Sequence, residues 1–158
     1  MSQHDIGLVG LAVMGENLAL NIESRGYRIA VFNRTTEKVD LLLEGRAAGK
    51  NFLGCHSIEE LVESLAAPRK VLLLVKAGPA VDAFIDQLIP LLSPGDIIID
   101  GGNSLFKDTI DRTKKFLTSR HTRKVFHNVS DGWFGYTSTA SGGRGKCQVV
   151  TIVATGNF

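Results

Sequence analysis

The sequence lacks the features that mark membrane-spanning, disulfide-stabilised and strongly charged chains. None of its apolar runs reaches the roughly 18 residues that a helix needs to cross a bilayer. Its start, MSQHDIGLVG, has neither the basic residues nor the long apolar core of a secretory signal. The 2 cysteines, Cys55 and Cys147, are too few for a disulfide framework or a metal cluster, so reduced thiols in a cytoplasmic protein are the expectation and no metal site is expected. With 18 Lys and Arg against 16 Asp and Glu, the net charge is +2, and no overall field recruits nucleic acid or a membrane surface. What remains is 158 residues, 44% hydrophobic and 22% charged, an ordinary composition for one globular domain with a real core.

Strand-like apolar runs alternate with helix-like amphipathic ones. DIGLVG (5–10) is a short apolar run ending in glycine, and MGENLALNIESRG (14–26) places Met14, Leu18 and Ile22 at helical spacing, with Gly26 where a helix cap belongs. YRIAVFN (27–33) reads as a second strand. Thr35 or Thr36 then caps a helix running to Leu43, with Glu37 in its first turn. In SIEELVESLAA (57–67), Ser57 is an N-cap with Glu60 at the capping-box position, and Pro68 stops the helix. KVLLLVKA (70–77) is apolar enough for a strand covered on both faces. PAVDAFIDQLIPLL (79–92) is helical, with Pro90 distorting its last turn. GDIIIDGGNS (95–104) is another buried strand ending in a glycine-rich turn, and DTIDRTKKFL (108–117) a further helix.

Strands joined by helices imply a parallel sheet with right-handed crossovers. Residues 1–117 therefore read as a doubly wound, Rossmann-like α/β domain, and residues 118–158 as a divergent tail. In such sheets ligands bind beyond the carboxyl ends of the strands, which singles out residues 10–15, 33–35, 75–77 and 100–104. In the first loop the dinucleotide fingerprint G-x-G-x-x-G appears with alanine in the middle: Gly10, Ala12, Gly15. Gly10 supplies the turn and Gly15 close helix–strand packing, so an anion can approach the helix N-terminus; the alternative is a plain βα turn without a ligand. The second loop, FNRTT, holds Asn33, Arg34 and Thr35 where an NAD site carries an acid, which favours a 2′-phosphate and hence NADP, unless Arg34 is only a solvated surface residue. Lys76 at the third strand end lines the nicotinamide side of the cleft or is an ordinary surface lysine. Asp100, two glycines, Asn103 and Ser104 form the fourth loop, where the glycines admit a ligand backbone-close or merely satisfy the turn.

The segments GLAVMGENLALN, FNRTTEKVD, LLLVKAGPAVDAFIDQLIPLL and GDIIIDGGNSLFKDT resemble 6-phosphogluconate dehydrogenase, in the right order and at the expected spacing, over about residues 3–116. The broader β-hydroxyacid dehydrogenases share the first loop and less of the rest. The resemblance implies that Gly10, Leu11, Ala12, Val13, Met14 and Gly15 hold the pyrophosphate of NADP, and that Asn33, Arg34 and Thr35 hold the 2′-phosphate. It implies that Val75, Lys76 and Ala77 line the cofactor and that Asn103 touches both cofactor and substrate. The family oxidises 6-phosphogluconate by hydride transfer to NADP and releases CO₂ to give ribulose 5-phosphate in the pentose phosphate pathway. Its catalytic lysine and glutamate lie toward and within a helical domain that also builds a homodimer. No catalytic residue is therefore assigned here, and the chain alone is expected to be inactive; the other reading is a non-catalytic NADP-binding or subunit-pairing module.

The tail departs from the family. Where the resemblance calls for a VSGGEEGA…GPSLMPGG segment that binds substrate, this chain has TASGGRGKCQVVTIVATGNF. Ser141, Gly142 and Gly143 echo its SGG but arrive late and without the glutamates. Codons exist for Gly142–Gln148 and Thr151–Gly156 that restore much of the family segment when read one base later, so a shifted frame is one expected origin of the tail, and alternative splicing with retained intron sequence or a truncated transcript is the other. CQVVTIVA (147–154) reads as a late strand.

Overall fold

The computed structural model describes residues 3–93, 95–102 and 112, and the backbone of 125–128. The expected strand at 147–154, Asn103, Ser104, the Ser141–Gly143 segment and all of the 108–117 helix except Arg112 lie outside the described residues.

The elements among the described residues are, in order, β1 (Ile6–Val9), α1 (Val13–Ser24), β2 (Ile29–Phe32), α2 (Glu37–Glu44), β3 (Phe52–Cys55), α3 (Ile58–Glu63), β4 (Lys70–Leu73), α4 (Pro79–Leu88), β5 (Ile97–Asp100) and β6 (Val125–Asn128). All strand pairs are parallel, in the order β3-β2-β1-β4-β5-β6. This is the doubly wound sheet of the dinucleotide-binding fold.

Each strand splits its apolar residues between two faces because successive side chains alternate. Val9, Ala30, Phe32, Val71, Leu73 and Ile98 point toward α3 and α4, where Leu61, Val62, Ile85 and Leu88 close one core. Leu8, Ile29, Val31, Leu72 and Ile99 point the other way, onto Ala19 of α1 and Val39 and Leu42 of α2. Burial on both faces explains the unbroken apolar runs read as strands.

The observed strands are shorter than the apolar runs. β4 ends at Leu73 and β5 at Asp100, leaving the following polar and glycine-containing residues as loops. Two strands were not foreseen. β3, in NFLGC, has half-exposed residues and a glycine, so its apolar pattern is weak. A Cβ on Gly54 would stand 2.5 Å from Leu43 Cδ1 and 2.7 Å from Val39 Cγ1, so glycine is what lets α2 lie against this edge strand. β6 pairs with β5 beyond residue 117, inside the stretch read as tail.

Helix ends follow local chemistry. Gly26 lies one residue past the α1 C-cap at φ +90 and its N–H bonds the Glu23 carbonyl at 2.8 Å, as expected of a left-handed cap. Ser57 Oγ accepts the Glu60 N–H at 3.0 Å, and the Glu60 carboxylate accepts the His56 N–H at 2.8 Å. The reciprocal bond thus falls one residue earlier than in the usual capping box. Thr36 is the α2 N-cap residue but its side chain makes no capping bond. α4 stops at Leu88, two residues before Pro90. Cys55 is buried, and burial pushes its thiol up to about 12, which makes it unreactive near neutrality.

Candidate cofactor site

The sheet order sets the four loops side by side: 33–35 after β2, 10–15 after β1, 74–78 after β4 and 101–102 after β5. From β1 the chain winds through α1 to β2 on one side, while β4 lies on the other. The winding reverses between β1 and β4, and in open α/β sheets the crevice at such a point is where ligands bind.

The first loop is built around two glycines. Gly10 has φ +106, and a Cβ there would collide with the Leu74 carbonyl oxygen and crowd Val75 Cγ1 at 3.0 Å. A Cβ on Gly15 would collide with the Gly10 carbonyl oxygen. Glycine at both places therefore lets the first turn of α1 close over β1 and lets loop one touch loop three. Ala12, the N-cap of α1, has φ −85 and ψ 177, an extended conformation open to any residue, so this position does not require glycine. No side chain caps α1, and its first-turn N–H groups have no intrahelical partners. Ala12, Val13 and Met14 are exposed there, Val13 at 75% and Met14 at 72%. Leu11 is different: its side chain is buried in the α1–α2 core.

The second loop is joined to the first by one side chain. Asn33 Oδ1 accepts the Leu11 N–H at 2.9 Å, and Asn33 Nδ2 donates to the Thr35 carbonyl at 2.9 Å. Arg34 and Thr35 are exposed at this corner. Glu16, an acid in the first turn of α1, is met by Arg46 at 3.3 Å, and Arg46 also donates to Asn17 Oδ1 at 2.8 Å. That pairing offsets a negative charge beside the α1 N-terminus. The helices that begin at these loops and at loop three, α1, α2 and α4, all lack a side-chain cap, whereas α3, which follows the edge strand, has one.

In the third loop Val75 is half-buried against the α3–α4 core, and Lys76 and Ala77 are exposed. Gly78 ends the loop at φ +97 as the N-cap of α4. In the fourth, a Cβ on Gly101 would press on Leu72 Cδ1 and Leu74 Cδ2 at 3.0 Å, and one on Gly102 would lie 3.1 Å from the Val75 carbonyl. Neither has a positive φ. These glycines serve the contact of loop four with β4 and loop three, a third answer beside the ligand approach and the turn geometry weighed from sequence.

Sequence reasoning missed Arg112. Its guanidinium is 4% exposed and forks onto Asp82 of α4, Nε to Oδ1 at 2.7 Å and Nη2 to Oδ2 at 3.1 Å. Nη2 also donates to the Gly78 carbonyl at 3.1 Å, and Nη1 to Oδ2 of the fully buried Asp100 at 3.4 Å. Asp100 Oδ1 accepts the Gly102 N–H at 3.0 Å. An arginine thirty-odd residues from Gly78 in the chain carries no local signal for this role. Among the described residues, no group of three or more His, Cys, Asp or Glu forms a metal site, and no helix is long and apolar enough to cross a membrane.

Residues 5–139 match the family described as the NAD binding domain of 6-phosphogluconate dehydrogenase, a span that runs past the residue-116 limit of the resemblance read from motifs. The chain is 66% identical over 110 residues to the decarboxylating 6-phosphogluconate dehydrogenase of Dictyostelium discoideum, covering 70% of this chain and 22% of that protein. It is 60% identical over 132 residues to the enzyme of the same name from Candida albicans, covering 84% of this chain and 25% of that one. It also superposes on Plasmodium falciparum 6-phosphogluconate dehydrogenase, whose structures include complexes with its cofactor NADP+ and its substrate 6-phosphogluconate. There the TM-score is 0.67 and the identity 44%, over 75% of this chain and 26% of that one. The chain thus spans about a quarter of the length of these relatives. An imine reductase from Aspergillus terreus, at 18% identity and TM-score 0.60, shares the fold alone. Sheet order, loop chemistry and sequence match together make this chain a member of the 6-phosphogluconate dehydrogenase family, in its NAD(P)-binding domain.

Proposed function

We propose that this chain is an NADP-binding module of the 6-phosphogluconate dehydrogenase family, which recognises the cofactor and does not turn over substrate by itself. The observation that carries the reading is the Asn33 bridge, which fixes the Arg34–Thr35 corner to the glycine turn at the uncapped start of α1. A pyrophosphate at residues 10–15 meets the first-turn amides of α1, exposed over Ala12, Val13 and Met14, while Gly10 and Gly15 keep the turn thin and Leu11 anchors it in the core. Arg34 supplies a forked cation and Thr35 a hydroxyl for the 2′-phosphate, and no acid stands there to select NAD. Val75, Lys76 and Ala77 line the nicotinamide side, with Asn103 beside cofactor and substrate. When bound, NADP supplies the hydride acceptor.

The 66% identity to a decarboxylating enzyme favours a second reading, in which a complete protein of this type oxidises and decarboxylates 6-phosphogluconate as a cytoplasmic homodimer, with its acid and base supplied by residues beyond the Rossmann-like domain at 1–117. Calorimetric titration of the purified 158-residue chain with NADP and NAD, followed by an assay with 6-phosphogluconate, tests the module reading. The module reading expects NADP binding, much weaker NAD binding and no turnover. NADPH formation would instead establish the enzyme, and binding of neither nucleotide would refute the cofactor site.

A further inference from the structure

Loops one and two are held by glycine and an amide. Loops three and four have a different support among the described residues, the buried guanidinium of Arg112 behind them. Arg112 reaches the last carbonyl of loop three at Gly78, the first turn of α4 at Asp82, and the end of β5 at Asp100. Through Asp100 it also bears on the Gly102 amide. A Cβ on Gly102 would lie 3.1 Å from the Val75 carbonyl, so the two loops run close together. A lysine cannot reproduce this. It has one ammonium with no planar fork, whereas the observed guanidinium serves two carboxylates and a carbonyl with three nitrogens.

We propose that Arg112 is a positioning residue that locks loops three and four into one rigid wall, so that the nicotinamide side of the crevice is formed before a nucleotide arrives. What the wall faces rests on the cofactor reading; the lock itself does not. A preformed wall spares the bound state the cost of ordering two loops, and it sets the orientation of the ring end of the cofactor rather than the grip on its phosphates.

The test compares the full chain with Arg112→Lys, which keeps a cation beside Asp82 and Asp100, and with Asp82→Asn, which removes the fork partner and keeps the arginine. Amide hydrogen exchange without ligand reads the lock, and titration with NADPH and with 2′,5′-ADP, the adenosine half alone, reads the consequence. Both variants are expected to raise exchange at 75–78 and 101–102 by about tenfold, as loss of a charge-assisted hydrogen bond implies, while 10–15 and 33–35 stay protected as before. NADPH fluorescence enhancement falls with it, and 2′,5′-ADP affinity does not change. Uniform exchange in all four loops, or unaltered exchange at 75–78 and 101–102 in both variants, overturns the lock. Failure of the unaltered chain to bind either nucleotide overturns the cofactor reading instead, and the exchange data still decide the lock.

Discussion

The two walls of the crevice are stabilised by opposite means. On the β1–β2 side the structure uses backbone: Gly10 and Gly15 remove side chains where carbonyls must pass, and the neutral Asn33 amide bridges two loops. On the β4–β5 side it uses buried charge, with Arg112 between Asp82 and Asp100. On the proposed cofactor reading, the difference matches what each wall would face. A wall proposed to receive phosphates leaves the first-turn N–H groups of α1 and the Arg34 side chain exposed, and its two loops are joined by neutral bonds through Asn33, with the Arg46–Glu16 pair on the helix beside them. A wall proposed to frame the nicotinamide ring, which brings no anionic group, can use its ionic groups internally, provided each buried charge is paired. β5 repeats the device at its other end, where Asp96, 2% exposed, accepts the Arg69 and Ser93 N–H groups at 2.7 and 2.8 Å and pairs with the Arg69 guanidinium at 3.2 Å.

The largest break in this comparison is Arg112→Met. It leaves Asp100 buried without its cation and is expected to cost about 3–5 kcal/mol in urea unfolding. A loss below 1 kcal/mol would show that the charge cluster is not what holds this wall. On the opposite wall, Gly15→Ala drives a methyl into the Gly10 carbonyl and is expected to cost about 1–3 kcal/mol through forced backbone movement. Asn33→Ala strands the half-buried Leu11 N–H and frees the exposed Thr35 carbonyl, at about 1–2 kcal/mol, and lowers NADP affinity without touching Arg34. Asn33→Asp sharpens the point: it still accepts from Leu11 but cannot donate to Thr35, and it places an acid at the 2′-position, so the NADP preference should shrink. Arg34→Ala should leave stability within about 0.5 kcal/mol of the parent, since the side chain is exposed, while NADP affinity falls by about tenfold or more and NAD affinity holds.

The legibility of the two walls differs in the same way. Gly10, Gly15, Asn33, Arg34 and Thr35 lie within short motifs, so the tight glycine turn, and the loop proposed to meet it at the phosphates, could be picked out from the sequence. The GxAxxG departure was readable too, once Ala12 is seen to occupy extended backbone. The other wall was not. Asp100 and the glycines after it looked like a ligand loop, but they serve packing and an ion pair with a residue twelve positions on, whose own partners are thirty or more away. β3 escaped because an edge strand covered by one helix needs neither a long apolar run nor a side chain at Gly54. β6 escaped because VFHN sits in a polar, basic surrounding and gains its place only by pairing with β5.

The smallest expected effect is in the pH dependence, at the end of β1 remote from the crevice. Burial lowers the His4 pKa below 6.5, and the Arg28 backbone N–H, followed by its side chain, lowers that of Asp5 below 3.8. Both groups bind protons more readily in the unfolded chain, so stability rises with pH across each window. The His4 contribution is complete above 6.5 and is lost as pH falls through its lower folded value; Asp5 follows below 3.8. The urea midpoint at about pH 7.5 should exceed that at about pH 5.5 in the parent, and His4→Gln should narrow that difference by the share that His4 carries.

The most direct test of the account is an amide chemical-shift map of the 158-residue chain titrated with NADP. The expected result is a continuous set of shifts at 11–15, 33–35 and 75–78, on both sides of the β1–β4 junction, with NAD reproducing the first and third groups but not the second. Shifts confined to other faces of the sheet, or equal shifts at 33–35 with both nucleotides, would contradict it.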